Sequence, residues 1–135
     1  MNIQGSLQQI LQEKDRLAEM FYEYFLEAYP ELRPLFAKVD FKRQRILLTT
    51  GLMVVERHFT HPAPAVEQYL QYLGTKHHEF RIPRAAYEKW TEAMLVTMQR
   101  FHGEDWSEDL AQQWRSAIEQ ACELMFQGYE ERITV

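Results

Sequence analysis

Three polar side chains sit where their neighbours call for apolar ones: His77, Tyr22 and Gln44. His77 continues the line Val66, Leu70, Leu73 in steps of 4, 3 and 4, the spacing of one helical face. His78 falls about 100° further around the helix, off that line. A buried imidazole without a partner costs about 1–3 kcal/mol, so His77 needs either an ordinary hydrogen bond or a metal ion. Gln44 interrupts the stripe Phe41, Leu48, Leu52, Val55, Phe59. Tyr22 lies in a broad aromatic face, where a phenol usually buries its ring and wets its hydroxyl. Each residue alone has an ordinary reading as a satisfied core histidine, a wetted phenol or a boundary amide. Together, three polar groups turned into a helical core ask for a ligand to satisfy them.

Other chemistries lack their residues. A carboxylate-bridged di-iron bundle needs Glu-x-x-His pairs, and no acidic residue has a histidine three positions later. His-Glu-x-x-His is absent, and the single cysteine, Cys122, cannot build a zinc knuckle. The five glycines are scattered, so there is no phosphate loop. His58 and His61 are spaced for one helix face but read as solvated residues beside a loop.

The elements that position these residues read as helices throughout. Ser6 with Gln9 is a capping-box pattern, which predicts a helix start at Ser6. Residues 17 to 29 are dense in apolar and aromatic side chains, Pro30 stops that run, and Pro34 sits in a short turn ending at Leu35-Phe36. A long helix is expected over 41 to 59, a break at His61-Pro62-Ala63-Pro64, and the His77 helix over 65 to 80. Pro83 can open the next helix, with Tyr87, Trp90, Met94, Met98 (or Thr97) and Phe101 as its stripe, and Gly103 ends it. Ser107, followed by two acidic residues, caps a last helix that shows Leu110, Trp114, Ile118, Ala121, Met125 and Tyr129 on one face. The expectation is an all-α single domain, 1–135, of six or seven helices.

With 135 residues, 46% of them hydrophobic, the chain can bury one substantial core. Fifteen basic residues, scattered, against twenty acidic ones give a net charge of −5 and no footprint for nucleic acid. The lone cysteine excludes an internal disulfide and fits a reducing compartment. The N-terminus is too polar for a signal peptide, and no apolar run approaches a membrane span. A cytoplasmic protein, with no nucleic-acid or membrane partner, is the expectation.

The order and spacing of several segments resemble the bacterial single-domain globins, relatives of the globin domain of flavohaemoglobins. Phe21-Tyr22 followed by Pro30-Glu31-Leu32-Arg33-Pro34-Leu35-Phe36 is similar to the family's Phe-Tyr … Pro-Glu-x-Arg-x-Leu-Phe segment. Asp40-Phe41-Lys42-Arg43-Gln44 resembles the start of the distal helix, and Gly74-Thr75-Lys76-His77 the proximal segment, 41 positions from Phe36 to His77. Trp114 fits the tryptophan common in the last helix of bacterial members. The likeness covers Ser6 to about Phe126.

The resemblance implies a globin fold, a three-on-three helical sandwich around haem b (iron protoporphyrin IX). It makes His77 the iron ligand, with Phe36 stacked on the porphyrin and Leu73 and Tyr87 on the proximal side. Tyr22 and Gln44 would line the opposite face as hydrogen-bond donors, with Leu48 as an apolar wall. Donors of that kind to a charged acceptor are worth about 1.5–3 kcal/mol each. Lys76, Arg81 and Arg45 are the basic candidates near the propionates.

The chain departs from the family pattern in places. A slide of two residues would put Lys42 and Ile46 where Gln44 and Leu48 stand; Gln44 is preferred because it shares the stripe of Phe41, Leu48 and Leu52. No histidine lies between Asp40 and Arg57, which excludes a second iron-binding histidine from this helix. Tyr87 matches a family tyrosine, but Tyr129 stands where a glutamate often completes the proximal network, which weakens the case for peroxidase-like chemistry. The leading function implied is reversible binding of dioxygen, with CO and NO as further ligands, in a monomer or homodimer. Its rivals are nitric oxide dioxygenation served by a separate reductase, and a gas sensor or haem-free regulator on a globin fold.

Overall fold

In the computed structural model, which describes residues 1–131, helices and the turns between them account for the whole path of those residues. Six α-helices and two 3-10 turns make up these described residues. They are α1 (Ile3–Gln12), α2 (Lys14–Ala28), a 3-10 turn (Pro30–Phe36), α3 (Phe41–Thr60), α4 (Pro64–Glu79), α5 (Ala85–His102), a second 3-10 turn (Gly103–Asp105) and α6 (Glu108–Glu131). Helices α1, α3 and α4 lie against α2, α5 and α6, and the architecture is the expected three-on-three globin sandwich.

Local chemistry sets most boundaries. Pro30 lacks an amide hydrogen to continue α2 and opens the 3-10 turn. Asp40 caps α3 by accepting from the Lys42 amide at 3.0 Å. Pro64 stands at the first position of α4, where its missing donor is harmless. Gly103, at φ 59°, turns the chain out of α5, and the Ser107 hydroxyl accepts from the Leu110 amide at 3.1 Å to start α6.

Ser6 departs from its expected role. Asn2, not Ser6, caps α1, accepting from the Gly5 amide at 2.9 Å. Ser6 is fully buried inside the helix and joins the two ends of the chain. Its hydroxyl accepts from Trp114 Nε1 at 2.9 Å and lies 2.6 Å from His102 Nε2. Donation to His102 requires an imidazole neutral at Nε2, and burial lowers the His102 pKa, opposed by Asp105. His58 departs as well: three residues past Val55, it stays on the inner face of α3 and is buried, while His61 is exposed.

Helix α4 is mounted on α6 backbone to backbone. A Cβ on Gly74 would fall on the Met125 carbonyl, and one on Gly128 on the Gln71 carbonyl. The Thr75 hydroxyl bridges the crossing by donating to the Gly128 carbonyl at 3.0 Å. This contact turns Leu70, Gly74 and Thr75 of α4 inward, and leaves Val66, Leu73 and His77 half-buried beside them. The expected stripe is thus the edge of the buried face rather than its centre.

Gly74→Ala has no space to occupy and is expected to cost about 3 kcal/mol or more in urea unfolding. Gly51→Ala, whose Cβ meets nothing within 4 Å, should instead stabilise the ligand-free chain by roughly 0.5–1 kcal/mol. Ser6→Ala strands two buried polar groups and should cost about 2 kcal/mol by the same measurement.

Candidate functional site

The candidate residues fall into two clusters of side chains, one against α3 and one against α4. The first joins α2, the 3-10 turn and α3. Gln44 Nε2 donates to Tyr22 Oη at 3.0 Å, so the amide holds the phenol oxygen and leaves its hydrogen free to donate elsewhere. Tyr22 is almost wholly buried, and burial, partly offset by the Gln44 bond, pushes its pKa up to about 12. Its hydroxyl is therefore a protonated donor across the physiological range. Phe36 and Phe41 pack on it edge to face, with ring centroids 5.8 and 5.4 Å away, and stack on each other at 6.2 Å.

Gln44, Leu47, Leu48 and Gly51 share one face of α3 at i, i+3, i+4 and i+7. Leu48 is buried, but Leu47 is 50% exposed and the space beside Gly51 is empty. Lys42 is exposed and Ile46 is 57% exposed, so the alternative register points outward.

The second cluster joins α4, α5 and α6. His77 Nδ1 lies 2.8 Å from Tyr87 Oη, with the rings 5.8 Å apart. Burial lowers the His77 pKa to about 4, so the imidazole is neutral at pH 7. In the tautomer that leaves a lone pair on Nε2, Nδ1–H donates to Tyr87. Burial first, and then the neighbouring Tyr129 phenol, drive the Tyr87 pKa far above the ordinary phenol range. Tyr129, at the position where the resemblance led one to look for a carboxylate, donates to the Ile82 carbonyl at 2.6 Å.

Of the residues singled out in the sequence, Tyr22, Gln44, Phe36 and Leu48 thus gather on the α3 side, and His77, Leu73 and Tyr87 on the α4 side. Two of the three basic candidates have surface partners: Arg45 pairs with Glu19 at 3.3 Å and Lys76 with Glu79 at 3.2 Å. Phe41, read in the sequence mainly as a stripe residue, packs on Tyr22, and Tyr129, read there as standing in place of a glutamate, packs on Tyr87. The bond from Tyr129 to Ile82 had no signal there, because its acceptor is backbone. A surface cleft of about 630 Å³ backs onto Tyr22, Phe36 and Phe41 from the outer side of α2, between Arg33 and Arg45. It does not reach His77, and the hydrogen-bonded groups, rather than this groove, carry the chemistry.

The arrangement offers one neutral imidazole nitrogen with a firmly held partner behind it. It also offers a phenol donor and unfilled apolar space on α3. A neutral imidazole nitrogen of this kind can ligate a metal, and a protonated phenol can donate to a small polar ligand.

The His77 ring is expected to titrate near pH 4, followed by ring-proton NMR with His77→Phe as the assignment control. In the unfolded chain the same ring takes its proton near the ordinary 6.5. Between those values the unfolded state binds more protons, so stability of the ligand-free protein falls as pH drops from about 6.5 to 4, by at most about 3 kcal/mol from this residue. The fall should shrink in His77→Phe.

Comparison with known proteins places the chain among globins in both sequence and fold. Residues 19–125 match the family model named Globin. A crystal structure from Pseudomonas aeruginosa PAO1, of a protein described as structurally highly homologous to a human hemoglobin, matches with a TM-score of 0.78. The identity is 22%, over 95% of this chain and 98% of that one, a likeness of fold. No curated protein matches the sequence.

Proposed function

Because the chain belongs to the globin family, we propose that it holds haem between the two clusters and reversibly binds dioxygen and other diatomic gases. The observation that carries this reading is His77: a neutral imidazole whose Nδ1 is anchored on Tyr87, which leaves Nε2 as the nitrogen not engaged in that bond. Nitrogen in that state is the form that ligates iron.

Haem held there would supply an iron centre able to take a small gas. The protein residues do the rest. His77 would ligate through Nε2 and donate through Nδ1 to Tyr87. The hydroxyl of Tyr22 would donate to the charge that develops on the gas, with Gln44 holding the phenol in place. Leu48 and Leu73 supply apolar walls that limit water, and Phe36 a face for stacking. The haem is of the non-covalent b type, because the only cysteine, Cys122, lies on α6 and cannot supply a paired thioether attachment. We place the protein in the cytoplasm, on the strength of its lone thiol; no helix among the described residues is long and apolar enough to cross a membrane.

Titration of the purified protein with haemin, read by absorption, tests the reading. One equivalent should produce a Soret band, and His77→Ala should lose the wild-type ferrous spectrum. No Soret band after haemin addition would exclude haem binding, and an unchanged His77→Ala spectrum would exclude His77 as ligand. Tyr22→Phe should speed dioxygen dissociation by roughly ten- to a hundredfold, the kinetic worth of one charge-assisted hydrogen bond. Rapid mixing of the oxygenated protein with NO and a reductant separates simple gas binding from sustained dioxygenation.

A further inference from the structure

The groups behind His77 form a closed circuit. His77 Nδ1 meets Tyr87 Oη at 2.8 Å. The Tyr87 ring is wedged between Phe126 and Tyr129, with centroids 4.7 and 5.8 Å away. The Tyr129 hydroxyl donates to the Ile82 carbonyl, and the Ile82 amide donates back to the His77 carbonyl at 3.0 Å.

The chain reaches this closure through Arg81, at φ 60°, the left-handed conformation that usually falls to glycine. The bonds from Arg81 to His78 and from Ile82 to His77 are the pair that ends a helix in a Schellman turn. The Arg84 guanidinium lies over the rings of Phe126 and Tyr129, 5.1 and 5.7 Å from their centroids. Glu130, the next residue along, turns to Arg84 at 3.4 Å, with its side chain 68% exposed.

We infer that Tyr129 is a positioning residue for His77: by clamping the Ile82 carbonyl and walling in Tyr87, it fixes the direction of the imidazole and ends the hydrogen bonding behind it on neutral groups. The inference rests on the haem reading above. A carboxylate behind a ligating histidine draws its proton and makes the ring a stronger donor to the metal. Here the ring's proton meets a phenol, and the neighbouring hydroxyl is committed to an amide carbonyl. The charge that lies over the rings, on Arg84, is positive, and its partner Glu130 points outward. His77 therefore meets iron as a neutral, weakly donating imidazole, which favours the ferrous state over the ferric.

The test uses the haem-loaded protein in its ferrous, ligand-free form. Resonance Raman reads the iron–histidine stretch, and spectroelectrochemistry reads the reduction potential. The wild type should show one narrow stretch at the frequency of a neutral imidazole. Tyr129→Phe should broaden or split it, because the ring direction is no longer fixed. Tyr129→Glu should raise the frequency and lower the potential. A wild-type band already at imidazolate frequency overturns the proposal, as do two variants with wild-type band and potential.

Should either variant take up no haem, ¹⁵N NMR of the haem-free wild type and Tyr129→Phe decides instead. The proton is expected on Nδ1 of His77 in the wild type and shared between both nitrogens in the variant; the same tautomer in both overturns the role of Tyr129. Failure of the haem reading itself looks different: the wild type would show no Soret band, while the tautomer comparison would still report on Tyr129.

Discussion

The crossing of α4 and α6 is the constraint on which the site depends. Two glycines, Gly74 and Gly128, each lie against a carbonyl of the opposite helix, and Thr75 ties the seam with a hydrogen bond. Such a crossing has one register, because a shift along either helix drives a side chain into backbone. His77 stands three residues beyond Gly74, less than one turn, and Tyr129 immediately follows Gly128. The two glycines therefore do more than let the helices approach. They set the height at which the imidazole and the tyrosines behind it face each other.

Across the gap, the same chemical group is put to two uses by its surroundings. Tyr22 and Tyr87 are both phenols held protonated by burial. Tyr22 has its oxygen occupied by the Gln44 amide, so its hydrogen is available to a guest. Tyr87 lies at the ring nitrogen of His77, so its oxygen is occupied from the side of the site. On the haem reading proposed above, one phenol would stabilise charge arriving on a ligand and the other would hold a ligating ring still. The apolar frame around both, from Phe36 and Phe41 to Phe126, keeps water from competing for these bonds.

Most helix boundaries were legible because their signals are local: Pro30, Asp40, the His61–Pro64 break, Gly103 and Ser107 act on their own neighbours. The pairing of Tyr22 with Gln44 was legible as two interruptions in apolar stripes, although only the fold shows that they touch. Ser6 was misread for a related reason. Its capping pattern is local, whereas its partners lie 96 and 108 positions away, and the distant bonds prevail. His58 looked solvated because the loop beside it is polar, yet the α3 face carries it inward. The glycine seam and the Ile82 carbonyl left no trace in side-chain periodicity: one is an absence of side chain, the other is backbone.

The bonds of Ser6 to His102 and Trp114, with the Ile3 amide donating to Gln113 at 2.9 Å, fasten the first helix to the fifth and sixth. Synthesis from the N-terminus makes α1 well before the partners that bury its serine. Loop-closure entropy over such separations is paid only when α6 emerges. Helix α1 packs mainly on α3, but the bonds that satisfy its serine can form only when α5 and α6 are present, so they fasten a helix that already has a place to lie.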